Sequence, residues 1–76
     1  MPSDPDLAAV IRALRRSAGA PQQAIAERAG IAIATLRRIE LARSSPHRAT
    51  LAAIASALGI SVTELYATAR ARREAS

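Results

Sequence analysis

Residues 35–40, TLRRIE, contain two adjacent arginines and an isolated glutamate. A guanidinium group presents planar N–H donors that match a phosphate, a carboxylate, or the O6 and N7 atoms of guanine. A glutamate near the end of a helix lies at the negative end of the helix dipole, which is mildly unfavourable. The arginines therefore suggest an anionic partner, whereas Glu40 needs a cation from elsewhere in the chain.

The overall charge also favours an anionic partner. All eleven basic residues of the 76-residue chain are arginines, the net charge is +5, and the pI is about 11.6. A pI this high in a small domain is typical of proteins that bind nucleic acid. A genome-wide preference for alanine and arginine codons would raise the arginine content in the same way, so charge alone leaves both interpretations open.

No set of residues predicts catalysis or metal binding. The chain has no cysteine, and its single histidine, His47, is expected to be exposed in the first turn of a helix. We find no paired carboxylates, no nucleophile with a base and no phosphate-binding loop, so we predict neither an enzyme nor a cofactor or metal. No apolar stretch approaches the ~18 residues of a membrane span, and the polar N-terminus is unlike a signal peptide. We therefore expect a cytoplasmic protein.

Hydrophobic periodicity and helix-boundary residues predict an all-α fold of five helices in a single domain spanning residues 1–76. Ser3, Asp4 and Pro5 open the first helix, with Asp4 as its capping residue, and Ser45 caps the fourth. The third helix is predicted to end at about Leu41. The five helices are predicted to begin at Pro5, Gln22, Ile33 and Pro46, and directly after Ser61.

The fifth helix has the clearest local start signal. Ser61 and Glu64 form a capping box, and Ile60 can pack on Leu65 across it. The tail, residues 67–76, extends this helix before fraying. Its arginines are solubilising, or they contact DNA flanks or a second subunit.

The third helix has two different faces on a helical wheel. One fits a hydrophobic core and consists of Ala32, Thr35, Leu36 and Ile39. The other mixes apolar and basic residues: Ile33, Ala34, Arg37, Arg38 and Leu41. Such a mixture favours an interface, although single exposed apolar residues are normal and a plain solvated surface stays an alternative.

Glu40 lies toward the core side of this wheel. A carboxylate in that position needs a cationic partner and hydrogen bonds. Arg15, near the end of the first helix, is a good candidate. The alternative is a surface pair with Arg37 or Arg43, which would contribute little to stability.

The order of these motifs resembles the phage-repressor-like family, also called the Xre or lambda and 434 repressor-like family. IRALRRSAG, QQAIAERAGI, TLRRIE and LAAIASALGISVTELY are similar to its first helix, its second helix and turn, its recognition helix and its last two helices. The resemblance covers roughly residues 7–66, with the helix-turn-helix at about 22–41. It implies a five-helix, sequence-specific DNA-binding domain, usually dimeric, that regulates transcription with its recognition helix in the major groove.

The resemblance also implies roles for individual residues. Gln22 matches the position that holds a DNA phosphate, and Arg15 and Glu40 match the family's ion pair. The base-contacting positions correspond to Ile33, Ala34 and Arg38, with Thr35 and Arg37 close by. Leu41 matches a phosphate-contacting position at which the family often has a polar residue. Further phosphate contacts are expected at Arg43, Ser44, Ser45 and Arg48.

The chain departs from the family pattern at several positions. Pro21 and Ala32 stand where the family has capping residues, and Ala42 replaces the glycine that usually follows the glutamate. Ile33 and Ala34 cannot form bidentate bonds to a base and can only touch thymine methyl groups or exclude other groups. Arg38 is therefore the first candidate for contacting guanine, with Arg37 able to do the same or to bind a phosphate. Arg12, Arg16 and Arg28 are expected to be solvated or in surface pairs.

One such domain contacts too few base pairs for useful specificity, so we predict a homodimer on double-stranded DNA with half-sites about 10 bp apart. The candidate dimer residues are Val62, Leu65 and Tyr66, because little chain remains to cover them; for Tyr66 the alternative is half-buried packing within the domain.

The rival function is a protein-interaction module, because the same fold serves as an antitoxin. In that case the apolar outer face of the third helix would bind a toxin or another regulator.

Overall fold

The computed structural model describes residues 4–75, and within that range it contains five helices and no strand. The helices are α1 (Pro5–Ser17), α2 (Gln22–Ala29), α3 (Ile33–Glu40), α4 (Arg48–Ala57) and α5 (Val62–Ala75). The predicted all-α class and the number of helices are confirmed. Ser3 lies outside the described residues. None of the described helices could cross a membrane by itself; α4 and α5 reach the required length and composition only together, as a pair bent by 93°.

Asp4 caps α1, as the sequence predicts. Its Oδ1 accepts hydrogen bonds from the backbone N–H groups of Asp6 (3.0 Å) and Leu7 (3.1 Å). Burial raises the pKa of the Asp4 carboxyl, but hydrogen bonds from the Leu7 N–H and from Arg73 outweigh it, so the pKa is lowered. The carboxylate is therefore charged at neutral pH and strengthens the cap at the positive end of the helix dipole.

The start of α4 differs from the prediction. The helix begins at Arg48, and its capping residue is His47 rather than Ser45. His47 has an extended backbone (φ −64°, ψ 158°), and its side chain forms no capping hydrogen bond. Proline fixes only its own φ and cannot make the next residue helical. Pro46 therefore lies in the loop, and the predicted start was wrong by two residues.

One hydrophobic cluster lies between the helices. α1 packs against α3 and α5, and α2 packs against α3 and α4. Large side chains that are fully buried, such as Leu36 of α3 and Leu65 of α5, each stabilise the fold by about 1.5–3 kcal/mol relative to exposure. Leu36 and Ile39 attach one face of α3 to this core. Ala32, which the wheel assigned to that face, is exposed because it precedes the first helical turn.

The turn between α2 and α3 depends on Gly30. Its φ is 69°, a left-handed conformation that glycine adopts without steric cost. The next residue, Ile31, donates its N–H to the Ala26 carbonyl at 3.0 Å and packs partly buried against the core. The turn therefore determines the angle at which α3 leaves α2.

Ala42 has the same kind of backbone without being a glycine. Its φ is 57°, the only positive φ outside glycine among residues 4–75. Its N–H donates to the Ile39 carbonyl at 3.0 Å, and the Arg43 N–H donates to the Arg38 carbonyl at 2.8 Å, which ends α3. A left-handed backbone costs an alanine roughly 1–2 kcal/mol.

Ala42→Gly is therefore expected to stabilise the protein by about 0.5–1 kcal/mol, after the larger entropy of glycine in the unfolded chain is subtracted. Urea denaturation followed by circular dichroism would measure the change. Ala52, exposed within α4, offers the matched control, because the same substitution there should destabilise by about 1 kcal/mol. Destabilisation at both positions would show that Ala42 is not left-handed in solution.

α5 begins with the predicted capping box. The Glu64 N–H donates to Ser61 Oγ (3.0 Å), and the Ser61 N–H donates to Glu64 Oε1 (3.2 Å). The helix continues through the tail to Ala75, as expected. The interpretation of the tail arginines as solubilising was incomplete, because Arg72 and Arg73 form ion pairs with the start of α1.

Candidate nucleic-acid interface

A buried ion pair joins α3 to α1. Arg15 donates from Nε to Glu40 Oε2 (2.7 Å) and from Nη2 to Glu40 Oε1 (2.9 Å). The Glu40 side chain is 3% exposed and the Arg15 side chain 12%, so solvent screens this bidentate pair little. The hydrogen bond to Glu40 raises the pKa of the Arg15 guanidinium. Glu40 thus pairs across the core with Arg15, and not at the surface with Arg37 or Arg43.

Gln22 and Arg37 extend this pair toward the surface. Gln22 Nε2 donates to Glu40 Oε1 (3.1 Å), and Arg37 Nε donates to Gln22 Oε1 (3.4 Å). Both ends of the Gln22 amide are engaged, which holds its orientation and leaves Nε2 a second N–H to donate. Gln22 is also the first residue of α2, where backbone N–H groups favour an anion. The predicted contact of Gln22 with a DNA phosphate is compatible with this geometry and stays a prediction.

Arg12 is a member of this network that the sequence analysis assigned to the solvated surface. Its Nη1 donates to the backbone carbonyl of Glu40. That carbonyl belongs to the last turn of α3, where intrahelical partners are missing and a positive charge is favourable. A signal was available, because Arg12 precedes Arg15 by three positions and therefore lies on the same face of α1.

The outer face of α3 is partly as the wheel predicts. Ala34, Arg37, Arg38 and Leu41 are exposed, and Leu41 is 60% exposed at the end of the helix. Thr35 is half-buried. Ile33 is also half-buried and packs against the core, so its assignment to the outer face needs correction. Helical side chains lean toward the N-terminus, and Ile33, the first residue of α3, therefore covers the preceding turn.

The other predicted phosphate contacts follow α3 along the chain. Arg43, Ser45 and Arg48 are exposed, and Ser44 is half-buried. The Arg43 backbone is fixed to the end of α3 by its hydrogen bond to the Arg38 carbonyl. Guanidinium groups thus extend from the outer face of α3 through the loop to the start of α4, an arrangement that suits a polyanion.

The three candidate dimer residues have different environments. Leu65 is fully buried in the core, together with Ala69 one turn later, so it cannot contact a second subunit and its assignment is corrected. Val62 is half-buried and packs against the core. Tyr66 is 45% exposed, which agrees with the half-buried packing that the sequence also allowed and leaves part of the ring accessible. Val62 and Tyr66 stay candidates.

Residues 6–75 match the family model of the helix-turn-helix domain. The match begins in the first turn of α1 and ends with the last residue of α5. No curated protein sequence is significantly similar to the chain.

Several solved structures share this fold. The clp gene regulator ClgR from Corynebacterium glutamicum is 26% identical with a TM-score of 0.86, over 91% of this chain and 73% of that one. An HTH_3 family transcriptional regulator from Vibrio cholerae is 38% identical with a TM-score of 0.78, over 84% of this chain and 36% of that one. The restriction-modification controller protein C.AhdI from Aeromonas hydrophila is 23% identical with a TM-score of 0.78, over 80% of this chain and 92% of that one. At that identity the likeness to C.AhdI shows the fold alone.

Proposed function

Because this chain belongs to the helix-turn-helix domain family, we propose that it is a sequence-specific transcriptional regulator that binds double-stranded DNA. The resemblance to the phage-repressor-like family is confirmed by the fold and by its structural neighbours. We further propose that the chain is a repressor that acts as a homodimer on a pseudo-palindromic operator. The proposal includes a cytoplasmic location and neither a catalytic activity nor a cofactor.

The observation that carries this proposal is a pair of exposed guanidinium groups on a helix whose opposite face is fixed. Arg37 and Arg38 are exposed, while Leu36, Ile39 and Glu40 of the same helix are buried. An α-helix fits the major groove, where arginine can form two hydrogen bonds to guanine. A helix held in place before binding loses less conformational entropy when it binds.

Selecting bound duplexes from a random pool tests this function directly. The expected result is an enriched site with two-fold symmetry and half-sites about 10 bp apart, since a symmetric dimer contacts the same groove face twice. A pool that shows no enrichment after repeated rounds would contradict sequence-specific binding.

Arg38→Ala is expected to weaken binding to the selected duplex by about 1–3 kcal/mol, roughly 5- to 150-fold, because the guanine contact is lost. Binding to a scrambled duplex at the same salt concentration should change much less. Fluorescence anisotropy on both duplexes measures the difference. Arg28→Ala, at an exposed position of α2, is the charge-matched control. Equal weakening on both duplexes would instead assign Arg38 to a phosphate.

One observation favours the rival function, an antitoxin-type or other protein-interaction module. Leu41 is 60% exposed at the end of α3 and offers an apolar contact to a toxin or another regulator. The partial burial of Ile33 leaves only Ala34 and Leu41 for that purpose. A titration in rising salt separates the two functions, because binding to DNA weakens steeply with salt whereas apolar protein binding changes little.

A further inference from the structure

The last turns of α5 contribute no side chain to the core. Ala69 is 2% exposed, and every residue from 70 to 75 is exposed. This segment is nevertheless helical to Ala75. Beyond Ala69, the contacts of this segment with α1 therefore come from exposed side chains.

Ion pairs connect this segment to the start of α1. Arg73 donates from Nη2 to Asp4 Oδ2 (2.7 Å) and from Nε to Asp6 Oδ2 (3.2 Å). Arg72 Nε lies 3.5 Å from Asp6 Oδ1. The Arg72 and Arg73 side chains are 56% and 58% exposed, and pairs this open to solvent add little to stability. Stability alone is therefore a weak explanation for two carboxylates facing two guanidinium groups.

This end of the molecule carries no net charge. The basic residues of the segment and the acidic residues around it balance, namely Arg70, Arg72 and Arg73 against Asp4, Asp6 and Glu74. The whole chain, in contrast, carries a net charge of +5. While the pairs persist, the positive field that attracts a polyanion comes from the rest of the domain.

The neutral end lies next to the proposed DNA-contacting loop. Asp4, Ser44 and Ser45 line one open cleft, and Asp4, Arg70 and Arg73 line another. Asp4 thus lines both the cleft that contains the serines proposed to contact phosphates and the cleft that contains Arg70 and Arg73. A duplex seated on the loop would pass close to these arginines.

We propose that Asp4 and Asp6 mask Arg72 and Arg73 from the phosphate backbone of duplex DNA, an inference that rests on the proposed DNA-binding function. A guanidinium group that binds a carboxylate also binds a phosphate, so the two anions compete for the same donors. A phosphate contact strengthens binding to every sequence alike. Masking therefore lowers sequence-independent binding and raises the ratio of specific to non-specific affinity.

Removing the two acidic charges tests the mask in the full chain. Asp4→Asn/Asp6→Asn keeps an α1 cap, because asparagine caps as well as aspartate does. Anisotropy titrations on a scrambled duplex across a salt series give the slope of log affinity against log salt. The slope should become steeper by about 1.8, at roughly 0.9 for each phosphate neutralised. Adding Arg72→Gln/Arg73→Gln to this variant should restore the wild-type slope, whereas the same pair in the wild-type background should leave it unchanged.

The charge-matched control is Glu27→Gln/Glu64→Gln, which removes two exposed carboxylates that lie outside the ion pairs and away from this end of the molecule; glutamine keeps the α5 capping box. Equal slopes in the control and in Asp4→Asn/Asp6→Asn would overturn the mask. So would a shallower slope on removing Arg72 and Arg73 from the wild type, or a loss of helical circular dichroism when the aspartates are replaced. Absence of duplex binding by every variant would instead reject the proposed DNA-binding function.

Discussion

Glu40→Ala is expected to lower the free energy of unfolding by about 3–5 kcal/mol. The carboxylate accepts two hydrogen bonds from Arg15 and one from Gln22. Its removal leaves the Arg15 guanidinium, whose side chain is 12% exposed, without an anion, and an uncompensated buried charge is the costly result of breaking such a pair. A domain of this length has a total stability of roughly 4–11 kcal/mol, so the variant would lose a large share of it.

Urea denaturation of Glu40→Ala, followed by circular dichroism, measures the effect. Glu27→Ala is the matched control, because Glu27 is exposed on α2 and its bond is to Gln23 in the same helix, at 3.2 Å; its change should stay within about 0.5 kcal/mol. Glu40→Gln keeps the shape but not the charge and should fall between the two. If the denaturation midpoints of Glu40→Ala and the wild type coincide, the Arg15–Glu40 pair contributes no more to the free energy of unfolding than a surface ion pair does.

Elements with strong local signals were predictable from the sequence. Gly30 ends α2 because glycine adopts the left-handed conformation of this turn without strain. Ser61 and Glu64 start α5 because the side chain of each accepts a hydrogen bond from the backbone N–H of the other. These interactions involve residues at most five positions apart. α4 shows the converse, since the side chain of its N-cap residue, His47, forms no capping hydrogen bond, and the nearby Ser45 and Pro46 predicted an earlier start.

The candidate site was predictable where burial restricts the choice of partner. A glutamate on the inner side of α3 needs a cation from another helix, and Arg15 meets that need. The bond from Arg12 to the Glu40 carbonyl spans 28 positions, and the bond from Arg73 to Asp4 spans 69. Helical periodicity places Arg12 on the same face of α1 as Arg15, but the partners of Arg12 and Arg73 depend on how the helices cross.

Leu65→Ala is expected to lower the free energy of unfolding by about 2–5 kcal/mol, because the side chain is fully buried and its truncation leaves a cavity. Leu65 and Ala69, four positions apart, place one stripe of α5 against the core. The proposed dimer contact must therefore use other side chains of this helix. Tyr66, the next residue, is 45% exposed.

Tyr66→Ala is the matched control for this prediction. Its effect on the stability of the monomer should be smaller, about 1 kcal/mol, because nearly half of the side chain is exposed, while a dimer that uses Tyr66 would dissociate more readily. Denaturation at several protein concentrations separates the two effects, because only a contribution from dimerisation depends on concentration. Leu65→Ala should lower stability equally at every concentration. The opposite result for Leu65→Ala would be unchanged monomer stability with weaker association in the ultracentrifuge. It would show that Leu65 lies in the subunit interface and not in the core.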